Sequence, residues 1–323
     1  MKAIVRDTYG PPEVLRLDEV QRPAPGAGEV LVRVHAASAN AGDWHLLRGT
    51  PFPFRLVEGL LRPKHRIIGT DIAGRVEAVG PHVSQFQPGD EVFGELSRSG
   101  FGGYAEYVAV PEIRLATKPT DISFEEAAAV PTSGLTALQG LRKGKIWKGQ
   151  KVLVHGAAGG VGTFAVQLAK AFGTEVTAVC GRRSVDVVRS VGADIVLDCM
   201  TDDFAQSDQV RFDSGRQWRS DDLGLQAWAE SERCLRQCAA VPIGSCPHAL
   251  FLGPLLSFGD QKFGNLLMRP NQPDLVLLKD LIERGKVRPV IERRYTLGDV
   301  PDAVRHIEEG HARGKLVIRV EPT

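Results

Sequence analysis

The chain has 323 residues, a formal net charge of +1, 43% hydrophobic and 24% charged residues. That length suits two domains with separate cores, and the near-neutral balance supplies no global field to recruit nucleic acid or a membrane. No apolar run approaches the ~20 residues that cross a bilayer, and five cysteines, few and odd in number, fit a reducing cytoplasm better than a disulfide framework.

The opening MKAIVRDTYG reads as a first strand and lacks the apolar core of a secretory leader. Up to about residue 118, short alternating runs recur: EVLVRVHAA at 29–37, DIAGRVEAVG at 71–80 and YAEYVAVP at 104–111. Turn clusters at 23–29, 80–92 and 98–103 separate them, which predicts a barrel-like β domain. At 121–130, DISFEEAAAV opens a helix, with Asp121 or Ser123 as its N-cap and acids in its first turn. Beyond it strands and helices alternate: a strand at 151–156, a helix from about 160 to 172, a strand at 175–181, a helix from about 184 to 191 and a strand at 194–198. This alternation predicts βαβ units and a parallel sheet, hence an α/β fold. The C-terminal part returns to short strands and one amphipathic helix, ending in KLVIRV at 315–320, and no internal repeat is present.

The strongest local signal is VLVHGAAGGVGTFAVQLAKA at 152–171. An apolar strand ends at His155, Gly156, Gly159 and Gly162 follow at three-residue spacing with Gly160 and Val161 between, and an apolar-periodic helix begins. A diphosphate approaches backbone closely only where no Cβ intervenes, and helix N-terminal N–H groups then hold the anion. Strand before, helix after and the length of the unit are the context this motif requires. The next strand runs into Gly181, Arg182, Arg183 and Ser184, with no acid before Asp186. An acid there would bond a ribose 2′-hydroxyl, whereas guanidinium groups suit a 2′-phosphate. The pattern points to NADPH, with Arg183 and Ser184 the better contacts; a solvated basic turn is the alternative.

Several ordered motifs together resemble the medium-chain dehydrogenase/reductase superfamily, in its zinc-free quinone oxidoreductase branch: VLVRVHAASANAGDWHLLRG at 30–49, IIGTDIAGRVEAVGPHVSQFQPGDEVFG at 67–94, GGYAEYVAVP at 102–111, AAAVPTSGLTAL at 127–138 and HARGKLVI at 311–318. The resemblance implies a GroES-like β-barrel domain over 1–118 and 285–323, with a Rossmann doubly wound parallel sheet over 119–284. It also implies a homodimer acting on a small-molecule quinone or α,β-unsaturated carbonyl. Asn40 matches the family's loop asparagine, whose amide donates to a substrate oxygen. His45 falls where several members carry a tyrosine, as a donor or proton source, the alternative being a histidine at the surface or one step behind the residues that touch substrate. Thr136 matches a threonine expected near the nicotinamide, a helix-interior threonine being the alternative. Trp44 and Tyr104 line a pocket or pack, and Lys315 and Asn271 are cleft residues by resemblance alone. An NADPH-binding protein of the same fold with little or no turnover is the alternative function.

Zinc-dependent members carry a Cys in the first loop and Gly-His-Glu in the second. Here these loops read Ala37-Ser38-Ala39-Asn40 and Gly69-Thr70-Asp71, too few N, S or carboxylate ligands for a catalytic zinc. Cys234, Cys238, Cys246 and His248 have a spacing that matches no common zinc module, so no metal is expected. Members often place Tyr after the Asp that ends the third strand, where Cys199 follows Asp198 here. The larger departure is 213–250, where charges, two tryptophans and three cysteines replace the expected buried strands. Family-like text resumes at FLGPLLSFGDQKFG (251–264). A frame-shifted translation accounts for this abrupt loss and recovery, a divergent surface segment being the alternative. The chain as written is expected to be of low stability or weakly active.

Overall fold

The computed structural model describes residues 1–50, 52–198, 201, 211–212, 216–217, 266–310 and 312–320. By compactness they form two units, one of Met1–Leu135 with Arg269–Thr323 and the other of Thr136–Met268.

The first unit is built on the long strand β3 (Glu29–Ala39), most of whose side chains are buried. Along one edge it pairs antiparallel with β4 (Asp71–Val79). Its other edge is shared: Glu29–Arg33 pair with β6 (Tyr107–Pro111), and Ala36–Ala39 pair with β14 (Lys315–Arg319). Register shifts at Leu31/Val32 and Val34/Ala36 let one strand serve two partners, since a bulge sharpens local twist. β4 continues to β5 (Glu91–Glu95) and β7 (Leu115–Thr117), while β13 (Ile291–Thr296) runs parallel to β14. The result is a seven-stranded, barrel-like sheet, to which β1 (Lys2–Val5) and β2 (Arg16–Glu19) add a separate antiparallel pair. Its core gathers Val32, Val34, Ile72, Val92, Tyr104, Leu115 and Ile318. The expected strand at 104–111 starts later, at Tyr107, because Tyr104 is taken up by backbone bonds to Ile4 and Ile68.

Helices α1 (Ala41–Arg48) and α2 (Pro53–Glu58) follow β3. α3 (Phe124–Ala128) starts at Ser123, which accepts a hydrogen bond from the Glu126 N–H as an N-cap should; of the two expected caps, Ser123 is the one used. α4 (Pro131–Lys143) spans the division between the units.

Within the second unit β8 (Lys151–His155), α5 (Gly160–Ala171), β9 (Glu175–Cys180), α6 (Val185–Ser190) and β10 (Ile195–Asp198) alternate as expected. The strands are parallel in the order β10-β9-β8, half of a doubly wound sheet. The short strands β11 (Arg211–Phe212) and β12 (Arg216–Gln217) pair antiparallel. Cys199, Cys234, Cys238, Cys246, His248 and the rest of 213–250 lie outside the described residues.

Helices α7 (Gln272–Glu283) and α8 (Val300–Glu308) belong to the first unit. By compactness the first unit thus runs to Leu135 and resumes at Arg269, where domain limits at 118 and 284 were expected. Residues 119–135 are held by ring stacking of Phe124 on His35, by Glu125 paired with Arg294 and Arg319, and by Thr132 on Asp71. Residues 269–284 are held by Arg114 on the Pro270 carbonyl and Gln272 on that of Leu115.

Candidate active site

In the first unit, β3 delivers Asn40 to the start of α1 in an extended conformation. Asp43, one turn on, accepts the Asn40 backbone N–H at 2.7 Å, which is the work of an N-terminal capping residue. The Asp43 N–H is taken by the Asn40 carbonyl, and the Asn40 side chain is engaged elsewhere. Its Oδ1 accepts from the Lys315 ammonium. Its Nδ2 donates to Thr70 Oγ1 at 3.0 Å, to Asp71 Oδ2 at 3.0 Å and to the Ser38 carbonyl at 3.3 Å. Lys315 has donors only, so it fixes which end of the amide faces it.

Asp71 opens β4 directly opposite Ser38 of β3. Its Oδ2 accepts from Ser38 Oγ at 2.9 Å, from Asn40 and, at 3.4 Å, from Lys315. Its Oδ1 accepts from the Thr132 N–H at 3.0 Å and hydroxyl at 2.6 Å. The carboxylate thus sits in the first turn of α4, where the helix dipole favours negative charge. Asp71 is fully buried and Lys315 is 2% exposed. Burial pushes the Lys315 ammonium below the usual lysine range, against the raising effect of Asp71 and Asp43.

Two further carboxyls are buried nearby. Asp43 accepts from the Tyr104 hydroxyl at 2.8 Å, and its Oδ1 has no partner; burial pushes its pKa up to about 7, opposed by those hydrogen bonds. Glu95, held by the Ser97 N–H and hydroxyl, is pushed up to about 8, first by burial and then by the charge of Asp71. Tyr104, buried against Asp43, is raised well above the ordinary phenol range.

The structure separates His45 from this network. Its buried ring stacks on Trp44 with centroids 3.6 Å apart, and neither ring nitrogen has a well-formed hydrogen bond. Burial lowers its pKa, against the raising influence of the Thr50 backbone and Glu308. The structure thus places His45 within α1 against Trp44, apart from the hydrogen bonds that join Asn40, Asp71 and Lys315. Trp44 and Tyr104 likewise pack in or against the core. Asn271 caps α7 through the Asp274 N–H, while Lys315 joins the site. The residues missed in the sequence are Asp71, Ser38, Asp43 and Thr132. Of these only Asp71 stands in a recognisable motif, the IIGTD run that leads into β4, and nothing local in the sequence marks Ser38, Asp43 or Thr132.

In the second unit Gly156 ends β8 with a φ of +68°, a conformation that favours glycine. A Cβ on Gly162 would stand 2.2 Å from the Gly156 carbonyl oxygen, whereas one on Gly159 meets nothing nearer than 3.5 Å. Gly159 caps α5 without a side-chain bond, so the N–H groups of Gly160, Val161 and Gly162 open the helix uncapped, as a bound anion requires. The Ala157 N–H bonds to the Val179 carbonyl at 3.1 Å. This brings the turn beside the end of β9, where Arg182 and Arg183 are exposed and Ser184 is buried. The donors and the open cradle fit a dinucleotide diphosphate. Thr136 is buried in α4 at the start of this unit.

A barrel-like β unit together with a βαβ unit carrying a glycine-lined phosphate turn defines a nicotinamide-dependent oxidoreductase. The family models for the alcohol dehydrogenase GroES-like domain and for zinc-binding dehydrogenase match residues 26–120 and 174–318. A chloroplastic quinone-oxidoreductase homolog of Spinacia oleracea is 34% identical over 98% of each chain. The chloroplastic NADPH-dependent alkenal/one oxidoreductase of Arabidopsis thaliana is 32% identical over 98% of this chain and 79% of its own. The quinone oxidoreductase structure from Coxiella burnetii superposes with a TM-score of 0.81 at 31% identity, covering 99% of both chains. The chain belongs to the medium-chain dehydrogenase/reductase superfamily, in its quinone-oxidoreductase-like branch.

Proposed function

We propose that this enzyme uses NADPH, without zinc, to reduce a quinone or an α,β-unsaturated carbonyl. The observation that carries the reading is the pairing of the uncapped α5 N-terminus with two exposed arginines after β9. NADPH supplies the hydride when bound. The N–H groups of Gly160, Val161 and Gly162 would hold its diphosphate, and Arg183, with Ser184 beside it, would take the 2′-phosphate. Asn40 presents its amide to the substrate oxygen, which replaces the longest of its three bonds, that to Ser38, and stabilises the charge developing there. Lys315 holds Oδ1 and so keeps the amide from turning over. The relatives named for quinone and for alkenal/one reduction support both substrate classes.

Fluorescence titration tests the cofactor: NADPH is expected to bind at least about tenfold more tightly than NADH, and Arg183→Ser to remove most of that margin. Equal affinities would overturn it. Full turnover in metal-free buffer, with no zinc found in the purified protein, is the expected result for zinc independence.

One observation favours a second reading, an NADPH-binding protein without turnover: the amide hydrogens of Asn40 are already committed to Thr70, Asp71 and Ser38. Steady-state NADPH oxidation over a panel of quinones and enals separates the two.

A further inference from the structure

The chain from Phe52 to Arg66 displays apolar side chains outward. Phe52 is 62% exposed, Leu56 70%, Leu60 52% and Leu61 86%. The other large exposed apolar residues of the described chain, such as Leu17, Ile113, Trp147 and Val276, are scattered singly, which is ordinary for a protein surface. Four within ten residues is a patch, and patches of this kind mark interaction surfaces.

The display is tethered from beneath. Tyr9 Oη donates to the Gly59 carbonyl at 2.7 Å, and Arg55 lies over the Tyr9 ring while bonding to the Gly49 and Arg48 carbonyls. Glu58, the segment's one acid, is buried and bonded to His65 at 2.9 Å. Polar groups that would resist an apolar surface are thus turned inward. Outward, the apolar residues are followed by exposed Arg62, Lys64 and Arg66, of which Arg66 is balanced by Asp7.

We infer that this segment is a peripheral attachment site for an anionic lipid bilayer, entered by Phe52, Leu56, Leu60 and Leu61, with Arg62 and Lys64 at the headgroups. Apolar side chains rimmed by basic ones, with no exposed acid between, match such a surface in both polarity and charge. A second copy of the chain fits less well, because a two-fold contact on this patch sets Arg62 and Lys64 against their own copies. The near-zero net charge expected to leave membranes alone is a whole-molecule property, whereas this charge is local. Under the quinone reading, on which this consequence rests, attachment places the enzyme beside substrates whose apolar tails hold them in the bilayer.

The full-length protein is sedimented with vesicles of phosphatidylcholine, alone or equimolar with phosphatidylglycerol. Binding is expected on the anionic vesicles, and is expected to fall sharply at about 0.5 M salt, where charge screening is short-ranged. Leu56→Glu/Leu61→Glu is expected to lower the partition coefficient at least about tenfold. Arg62→Glu/Lys64→Glu is expected to abolish the preference for anionic lipid. Both variants are expected to melt like the parent and to oxidise NADPH equally well with a water-soluble quinone. A parent protein that stays in the supernatant, or variants that sediment as it does, overturns the inference. Conversion of a dimer to a monomer by the leucine pair, without change in vesicle binding, assigns the patch to a second copy and overturns it too. Vesicle binding without faster turnover of a bilayer-borne quinone counts against the quinone reading and leaves the attachment site standing.

Discussion

Lys315 and Asp71 lie 244 positions apart in sequence and face each other only because β3 pairs with both β4 and β14. A buried charge left without its partner costs about 3–5 kcal/mol. Lys315→Met is therefore expected to lower unfolding free energy by about that much, and the double variant Lys315→Met/Asp71→Asn to lose less than the two single variants together; urea unfolding in a double-mutant cycle measures the coupling. Asp43 and Glu95 give a second prediction, in pH. Their folded-state pKa values, about 7 and about 8, lie above the ~4 of an unfolded carboxyl. The folded chain therefore keeps these protons longer, and the stability they contribute, complete below about pH 4, is lost as pH rises through about 7 and 8. Asp43→Asn and Glu95→Gln are expected to flatten that decline, measured as Tm against pH. Little of this site was legible in the sequence. Asn40 stood out by resemblance, but nothing near Asp71 says that its five donors come from β3, the N-cap of α1, α4 and β14.

The β8-α5-β9 unit was the easiest part to read, because its signals are local: apolar strand, spaced glycines, periodic helix. What the sequence left open is which glycine serves the fold and which the ligand, and Cβ clearances divide them. Gly162→Ala drives a methyl into the backbone of Gly156 and Ala157, so both stability and cofactor binding are expected to fall, by about 1–3 kcal/mol for the former. Gly159→Ala has room within the protein and is expected to cost no more than about 1 kcal/mol as a poorer N-cap. On the proposed reading its methyl nevertheless intrudes on the diphosphate site, so NADPH affinity is expected to fall at least about tenfold. Chemical denaturation and fluorescence titration, run on both variants, separate the two effects; unchanged NADPH affinity in Gly159→Ala would place the diphosphate elsewhere. The domain limits were less legible, since α3 and α7 are amphipathic and give no sign of which body their apolar faces meet.

For the molecule as a whole, the two units need not share one stability. The first has a closed core around β3, with Val30, Val32 and Ile72 fully buried. In the second β9 is buried along nearly its whole length, whereas Val152 and Leu153 of β8 and all of β10 are half-buried. A parallel strand is ordinarily covered on both faces and paired on both edges, and the departure at 213–250 is where further strands were expected. We therefore expect calorimetry to show two transitions, the second unit melting first. NADPH should raise only that transition: saturation at a hundred times Kd adds about 2.7 kcal/mol to whatever binds it. A protein re-encoded over 213–250 in the adjacent reading frame should merge the two, if a frame shift is the cause of the departure. A single cooperative melt of the present chain, insensitive to that replacement, would show that 213–250 completes the nucleotide-binding unit as it stands.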